Sequence, residues 1–393
     1  MNGSGRYPHV RVKGGAMERG RQYGDQAKVR VQRSVEGYAA AFRHYAGWSW
    51  SEARTAAMPF EACISASYPS YLEEMRGIAE GAGVDFIDIL TINVRTEVMF
   101  AALARQAGAF QRQLPAECSA FALLPYRTET SHTVIGQTWD WLVHCFETVI
   151  VLEVEQDEGP DFVTVVEAGL LAKAGMNSAG LAVCTNALVT EGDQGRPGIP
   201  YHVLLRALID CETITDALVV AQLAQRSSSA NFLLAHRDGT AIDLETTAGD
   251  YRGVFPLLPE HGVLLHTNHF LSPRVGDADV SAWAMPSSLV RLCRLQSFRD
   301  ENEGRVSQLQ IEELLQDHAG HPSSICSHPD LTEAPEERGA TVASLIMDLD
   351  ESTMSLADGN PCETGYRTIS YREFMLKDRQ SDRGVNASQS VRA

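Results

Sequence analysis

The sequence predicts an α+β fold, because its first hundred residues have the pattern of helices and the remainder is dominated by short strands. From residue 17 to about residue 112, apolar residues recur at spacings of three and four. The pattern changes at Cys118, after which alternating or β-branched runs are separated by Gly, Asp and Glu. Helices followed by antiparallel strands that enclose further helices favour a layered arrangement.

The helical part begins with MERGRQYGDQAKVRVQRSVEGYAAAFRHYA, in which one apolar face continues through several turns. A further helix is predicted in YPSYLEEMRGIAEGAGV, where Pro69 is placed to open it and the later glycines to close it. The segment DFIDILTINVRTEVMFAALARQAGAF is again mostly helix-like. We therefore interpret this part of the chain as largely helical.

After Cys118, strands are predicted in SAFALLP, HTVIGQTWDW, ETVIVLEVEQ, DFVTVVEAG and GLAVCTNAL. Helices are expected in IPYHVLLRALIDCETITDALVVAQL and, later, in MPSSLVRLCRLQSF and QLQIEELLQDH. More strands follow in NFLLAHRDGTAIDLET, GVLLHTNHF, ATVASLIMDLDESTMSLADG and TGYRTISY, and HRDGTAID and DLDESTMSLA are typical of hairpins. The polar tail, residues 377–393, is predicted to be disordered.

The composition is that of a globular protein without nucleic-acid or membrane partners. Of 393 residues, 44% are hydrophobic and 21% charged, and 33 basic against 51 acidic residues give a net charge of −18. That field repels phosphate backbones and anionic membrane surfaces. The stretch MNGSGRYPHVRVKGG lacks the apolar segment of a signal peptide, and no run approaches the roughly 18 apolar residues that span a bilayer, so we expect a cytoplasmic protein. The eight cysteines include no C-x-x-C pair and are expected to be mostly reduced, buried thiols.

Cys118, at the start of a predicted strand, can in principle rearrange its own peptide bond. Its thiol would attack the carbonyl of Glu117, and hydrolysis of the resulting thioester would leave a new chain that begins with Cys118. The freed α-amine would then act as the base for the neighbouring sulfur. An α-amine has a pKa of about 7.7–8.0 and a thiol about 8.5, close enough to share a proton near neutral pH. On the residues alone, an ordinary buried thiol is the simpler interpretation.

Several motifs spread along the chain favour the other interpretation, in which Cys118 is a nucleophile. They appear in the order GRQYGDQAK, YPSYLEEMRGIAEGAGV, INVRTE, ECSAFAL, GQTWDW, VEAGLLAKAGMNSAGLAVCTNAL, NFLLAHRDGTAIDLETT, HTNH and ERGAT. Together they resemble the acyl-coenzyme A:6-aminopenicillanate (isopenicillin N) acyltransferase family of self-cleaving N-terminal-nucleophile enzymes. The resemblance implies a four-layer αββα N-terminal-nucleophile hydrolase fold. It also implies a zymogen in which residues 1–117 form a helical propeptide, which becomes the small subunit, and residues 118–376 the catalytic domain.

The resemblance assigns roles to four residues. Cys118 matches the nucleophile, and the bond between Glu117 and Cys118 is the expected site of self-cleavage. Glu117 stands where the best-known members carry Gly, which tolerates a strained backbone, so either cleavage is slower or Glu117 assists it as a local acid or base. Asp140, in GQTWDW, is expected to orient the new α-amine. Asn268, in HTNH, is expected to donate to the developing oxyanion, a contribution of roughly 2.7–4 kcal/mol.

Arg338, in ERGAT, matches an active-site arginine of the family. It is expected to hold either Asp140 or a carboxylate of the acyl donor. The preceding residue, Glu337, departs from the small hydroxyl residue that the family often has there, and this substitution changes the local charge.

The remaining candidates have structural interpretations beside their functional ones. Trp139 and Trp141 either line a pocket for the acyl group or are plain core residues. Arg95 and Glu97, in INVRTE, are expected to form a buried ion pair that holds the propeptide against the rest of the chain.

We expect an amide acyl-transfer enzyme that hydrolyses a small N-acyl amine or amino acid through a thioester. The alternative is an acyl-CoA-dependent N-acyltransferase of the penicillin-forming type, and a non-catalytic binding protein on the same fold is less favoured. No metal and no cofactor are predicted, although a coenzyme A thioester stays open as the acyl donor; His266 and His269 have no nearby third ligand in the sequence. The expected partners are the small-molecule substrate and the cleaved N-terminal fragment, and a homo-oligomer is left open.

Overall fold

A computed structural model describes residues 5–104 and 117–376 of the chain. The helices are α1 Ala16–Gln26, α2 Lys28–Ala46, α3 Trp50–Ser67, α4 Pro69–Ala82, α5 Phe86–Asn93, α6 Arg95–Ala104, α7 Tyr201–Ile209, α8 Ile214–Leu223, α9 Ser281–Ala284, α10 Ser287–Glu301, α11 Gln308–Leu314 and α12 Pro361–Thr364. The strands are β1 His9–Gly14, β2 Glu117–Leu123, β3 Val134–Leu142, β4 Val149–Gln156, β5 Phe162–Glu167, β6 Ala174–Asn177, β7 Leu181–Ala187, β8 Ala230–His236, β9 Ala241–Thr246, β10 Val254–Leu257, β11 Val263–His266, β12 Gly339–Asp348, β13 Thr353–Ala357 and β14 Arg367–Ser370.

The predicted change of character at Cys118 is confirmed, since residues 5–104 contain six helices and Cys118 itself lies in β2. Helix α4 begins at Pro69 and ends at Gly83, which adopts the left-handed conformation expected of such a cap (φ 68°). One strand of this part was missed: β1 pairs in parallel with β4, at the edge of a sheet. The proposed division between residues 117 and 118 stays a prediction, and residues 105–116 and the tail 377–393 lie outside the described residues.

Helices α1 and α4 approach each other through glycines. Gly20 and Gly24 of α1 face Gly77 and Gly81 of α4. A Cβ atom on any of the four would collide with a backbone carbonyl oxygen of the opposite helix. The two helices are therefore in direct backbone contact.

The strands form two sheets. The larger has the order β1-β4-β5-β6-β7-β8-β9-β10 and the smaller β11-β2-β3-β12-β13-β14, and all neighbours are antiparallel except β1 and β4. The predicted hairpins between β8 and β9 and between β12 and β13 are confirmed. Strands β2 and β3 lie over β7 and β8 of the larger sheet.

Alternation along the strands shows the order of the layers. Leu234 of β8 packs in the core shared with the N-terminal helices, whereas its neighbour Leu233 packs between the two sheets. Ala122 of β2 also packs between the sheets, whereas Phe121 packs in the core shared with α10 and α11. The order is helices, sheet, sheet, helices, and the expected four-layer αββα fold is confirmed. In the two described stretches, no helix combines the length and apolar character that crossing a bilayer requires.

Buried polar contacts join α6 to the layers that follow it, although not by the ion pair expected between Arg95 and Glu97. Arg95 Nη2 lies 2.6 Å from Glu167 Oε2 in β5. Glu97 Oε1 accepts hydrogen bonds from the backbone N–H of Tyr201 (2.8 Å) and the hydroxyl of Ser228 (2.6 Å). The predicted ion pair between Arg95 and Glu97 was wrong. The side chain of Arg95 turns towards Glu167 in β5, and the side chain of Glu97 turns towards Tyr201 at the start of α7 and towards Ser228. The expected role, holding the N-terminal helices against the core, fits both contacts.

Candidate active site

Cys118 is the second residue of β2 and is directly opposite Trp139 of β3. The preceding pair in the ladder is Glu117 and Asp140. Since successive side chains of a strand point to opposite faces, Cys118 and Trp139 face one side of the sheet and the two carboxyl groups face the other. Cys118 is only 5% exposed and Asp140 only 1%.

On the first side, Cys118 opens into a narrow cavity. Its walls are largely aromatic and aliphatic, and helices α2 and α6 supply much of them. Trp139 and Trp141 both line it, as the interpretation of an acyl pocket requires, and two cations, Arg95 and Lys173, also reach it.

On the second side, Glu117 and Asp140 line a polar cleft that is open to solvent. Its other walls come mainly from the segment between α11 and β12, including Ser327 and His328, and from Ser287 at the start of α10. The first two residues of β2 thus separate an apolar cavity from a polar cleft.

Asn268 follows β11 and lies directly beside the candidate nucleophile. Its Oδ1 accepts a hydrogen bond from the backbone N–H of Cys118 at 2.8 Å and another from Arg291 Nη2 at 2.9 Å. Its Nδ2 donates to the carbonyl oxygen of Ala187 at 3.0 Å. The structure therefore brings Asn268 to Cys118 as expected, with the amide oxygen rather than the amide nitrogen facing the Cys118 backbone.

Arg291 of α10 is the main residue that sequence reasoning missed. It is fully buried, and its Nη1 donates to the carbonyl oxygen of Cys118 at 2.7 Å and to Ser119 Oγ at 3.1 Å. Asn186 Nδ2 donates to the same carbonyl oxygen at 3.0 Å. A signal was present: Arg291 lies at helical spacing with Ser288 and Leu295 on the buried face of α10, where an arginine is unusual.

Asp140 is held by one strong hydrogen bond, from the hydroxyl of Thr341 to Oδ1 at 2.6 Å. Its Oδ2 has no hydrogen-bond partner among the described residues. Burial raises the pKa of Asp140 well above its usual value, an effect that the Arg291 guanidinium opposes and Glu117 reinforces. Asp140 is therefore a carboxyl group with a high proton affinity on the strand next to the Glu117–Cys118 bond.

Burial also raises the pKa of the Cys118 thiol, to about 11, because the thiolate would lose its solvation. Lys173, which sequence reasoning also missed, is the cation that opposes this shift most strongly, and Asp140 adds to the shift. Lys173 is 5% exposed, its Nζ lies 4.6 Å from the centroid of the Trp139 ring, and burial lowers its own pKa. A lone lysine inside the apolar run GLLAKAGM was the available signal.

Glu117 lies at the amino-terminal end of α10. The hydroxyl of Ser287, the first residue of that helix, donates to Glu117 Oε1, and Arg291 Nε lies 3.8 Å from Oε2. A carboxylate at this place benefits from the partial positive charge of the helix terminus.

Arg338 does not contact Asp140, so the first of its two expected roles was wrong, whereas the second, holding a carboxylate of the acyl donor, stays a prediction. It precedes β12, and its guanidinium donates to the backbone carbonyl oxygens of Glu333 (3.2 Å) and Leu331 (3.3 Å) in the preceding turn. The cation that faces Asp140 is Arg291 instead.

The two histidines of HTNH make structural contacts. His266 Nε2 lies 2.9 Å from Glu245 Oε1, with both side chains fully buried, and its Nδ1 lies 2.7 Å from the carbonyl oxygen of Thr267. His269 Nδ1 lies 2.8 Å from Ser288 Oγ. These contacts fix the turn that carries Asn268.

Comparisons with known proteins agree with the motifs. The sequence profile of acyl-coenzyme A:6-aminopenicillanic acid acyl-transferases matches residues 127–363. An acyl-coenzyme A:6-aminopenicillanic-acid-acyltransferase (40 kDa form) of Emericella nidulans is 26% identical over 368 residues, 92% of this chain and 96% of that protein. A beta-alanyl-dopamine/carcinine hydrolase of Drosophila melanogaster is 26% identical over 326 residues, 77% and 79% respectively.

Among solved structures, a conjugated bile acid hydrolase from Clostridium perfringens superposes with a TM-score of 0.43 at 14% identity, over 65% of this chain and 93% of that one. The profile match spans more than half of the 393 residues. The chain belongs to the acyl-coenzyme A:6-aminopenicillanic acid acyl-transferase family.

Proposed function

We propose that the chain is a self-processing N-terminal-cysteine enzyme that cleaves or transfers an acyl group at the amide bond of a small N-acyl amine or amino acid. The observation that carries the proposal is the position of Cys118. Its thiol faces an apolar cavity, while its backbone N–H and carbonyl are held by Asn268 and Arg291.

Self-processing would begin with attack of Cys118 Sγ on the carbonyl carbon of Glu117. The C–N bond breaks, the nitrogen takes up a proton, and a thioester joins Glu117 to the sulfur. Water then cleaves the thioester, releasing the carboxylate of Glu117 and leaving Cys118 with a free thiol and a free α-amine. The hydrogen bond from the Cys118 nitrogen to Asn268 Oδ1 supports this step, since it holds the leaving nitrogen in place.

In the mature enzyme, the α-amine would take the thiol proton as the sulfur attacks the substrate carbonyl. Asn268 suits two tasks here. Its Oδ1 would hold the α-amine, and the second hydrogen of its Nδ2, besides the one given to Ala187, would be donated to the oxyanion. Asp140, on the neighbouring strand, would tune the proton affinity of the amine.

The two sides of β2 favour a substrate with an apolar acyl group and a polar amine. The acyl group would lie in the cavity lined by Trp139 and Trp141, and the amine would leave towards the cleft lined by Glu117 and Asp140. Access of water from that open cleft favours hydrolysis. The near full-length similarity to the Emericella acyltransferase favours the alternative, in which an amine accepts an acyl group supplied by a coenzyme A thioester.

The decisive experiment is intact-mass analysis and N-terminal sequencing of the purified protein. We expect two fragments, one of which begins at Cys118, and a single inactive chain for Cys118→Ala. Cys63→Ser, which changes a half-buried thiol on α3, is the matched control and should be processed normally. A wild-type protein that is one unbroken chain, or a Cys118→Ala variant that is still cut at this bond, would refute self-processing.

A further inference from the structure

Four metal-binding side chains meet on the smaller-sheet side of the molecule, and one of them, His328, also lines the polar cleft. They are His318, Cys326 and His328 from the segment between α11 and β12, and Cys362 from α12, and one ligand atom of each lies within 4.8 Å of the others. His318 and His328 bring their Nε2 atoms to 3.1 Å, and the two Sγ atoms lie 3.5 Å apart. His328 Nε2 lies 3.6 Å from Cys326 Sγ and 3.4 Å from Cys362 Sγ.

These separations are the edges of a tetrahedron around a zinc ion. With Zn–S near 2.3 Å and Zn–N near 2.0–2.1 Å, tetrahedral ligand atoms are about 3.3–3.8 Å apart. Four of the six separations between the ligand atoms are 3.1–3.6 Å and agree with this range to within a few tenths of an ångström. The two that join His318 to the cysteines are within 4.8 Å. Two thiolates and two neutral imidazoles are also the donor set for which tetrahedral zinc is the common occupant.

The surroundings of the cluster orient its ligands. Glu363 Oε1 lies 3.7 Å from His328 Nδ1, so a carboxylate faces the nitrogen that points away from the cluster. Asn360 Nδ2 lies 3.8 Å from Cys326 Sγ. The backbone N–H of Cys326 donates to the carbonyl oxygen of Asp317 at 3.0 Å, which fixes the segment itself. Carboxylate–histidine pairs and N–H groups directed at sulfur are typical outer contacts of metal sites.

We propose that His318, Cys326, His328 and Cys362 bind one Zn²⁺ as a closed structural site. Both thiols lose their protons to solvent on binding, so two thiolates balance the charge of the ion. His318 and Cys362 are exposed, which gives the ion a path of entry. Sequence reasoning expected no metal because the group has no C-x-x-C or H-x-H spacing and its fourth member, Cys362, is 34 residues beyond His328.

The zinc site would fix the position of residues that line the polar cleft, and it would take no part in the chemistry. Ser327, between two of the ligands, donates its N–H to Thr341 Oγ1 at 2.8 Å and accepts the N–H of Thr341 at 2.9 Å. Thr341 in turn donates to Asp140. Zinc would thus tie the segment between α11 and β12 to α12 and fix the residue that holds Asp140. The zinc site does not depend on the proposed self-processing.

The test is the metal content of the untagged full-length chain, purified under reducing conditions and dialysed against metal-free buffer. We expect one zinc per chain by elemental mass spectrometry. Replacement by Co²⁺ should give the visible absorption and thiolate charge-transfer band of a tetrahedral cobalt site. Both measurements use the wild-type protein and so do not depend on the folding of a variant.

Variants locate the site. Cys362→Ser and His328→Gln should lose the zinc, and Glu363→Gln should weaken zinc binding about 10-fold. Cys293→Ser, which removes an exposed thiol of α10, is the control and should keep one zinc per chain. A reduced wild-type protein that takes up no zinc from micromolar ZnCl₂, a disulfide between Cys326 and Cys362, or full zinc content in Cys362→Ser would overturn the proposal.

Discussion

The guanidinium of Arg291 donates to the backbone carbonyl oxygen of Cys118 at 2.7 Å, and through its other terminal nitrogen to Asn268 Oδ1 at 2.9 Å. One buried side chain thereby holds both the candidate nucleophile and the amide that faces it. It also faces the carboxyl groups of Asp140 and Glu117.

Arg291→Lys should slow processing because a single ammonium cannot reproduce the fork of donors. We expect the two fragments to appear roughly 10²-fold more slowly, as when one preorganised donor is lost. The rate is followed on denaturing gels after refolding. Arg294→Lys, on the exposed side of the same helix, is the control and should process at the wild-type rate. Equal rates for Arg291→Lys and wild type would remove Arg291 from the processing step.

Processing of the freshly folded chain should accelerate with pH. Burial raises the pKa of the Cys118 thiol to about 11, so the thiol is protonated near pH 7. Below the pKa, the thiolate fraction grows about tenfold per pH unit, and we expect the rate of fragment formation to do the same between about pH 6 and pH 9. A flat profile would mean that a neighbouring carboxylate, Glu117 or Asp140, takes the proton instead.

Lys173→Met should make Cys118 a poorer nucleophile. The variant removes the cation that most strongly lowers the pKa of the thiol, so this pKa should rise further. A rise of one unit reduces acylation about 10-fold near neutral pH and moves the pH profile upwards. Pre-steady-state acylation rates against pH measure both effects, with Lys173→Arg expected to restore the profile. Lys13→Met, at an exposed position in β1, should behave as wild type.

The buried pair of Arg95 and Glu167 should stabilise the joined N-terminal helices. Arg95→Met leaves Glu167 buried without its cation, at a cost of about 3–5 kcal/mol. Urea unfolding in the uncut Cys118→Ala background gives the free energy. Arg54→Met removes a more exposed pair with Asp85 and should cost only about 0–1 kcal/mol. If the two substitutions cost the same, the pair at Glu167 does not hold the helices.

Local sequence patterns correctly predicted the strands that carry the candidate site. Alternation predicted the strands β2 and β3 that carry Cys118 and Trp139, and the family motifs singled out Asn268 and Asp140, whereas the pairing of β2 with β3 was seen only in the structure. Arg291 was missed because it reaches Cys118 only when α10 packs on the smaller sheet, 173 residues along the chain. The contact expected between Arg338 and Asp140 is absent for a related reason, since a motif fixes the place of a residue in the chain and not the direction of its side chain.

The edge strand β1 and the proposed zinc ligands were missed for the same reason, because both depend on contacts between residues that are far apart in the sequence. Strand β1 pairs with β4 across more than a hundred residues, and no turn signal joins them. Cys362 meets Cys326 only after the hairpin of β12 and β13 brings α12 back to the segment before it. Such contacts are products of tertiary topology, which single-sequence periodicity does not encode.

The glycine contact between α1 and α4 has a mechanical consequence. Two helices whose backbones touch at four glycines cannot roll or slide without forcing carbonyl oxygens into Cα atoms. We expect them to move as one rigid body. Access of the proposed substrate to Cys118 would then depend on the side chains of α2 and α6 that line the apolar cavity, rather than on sliding of α1 against α4.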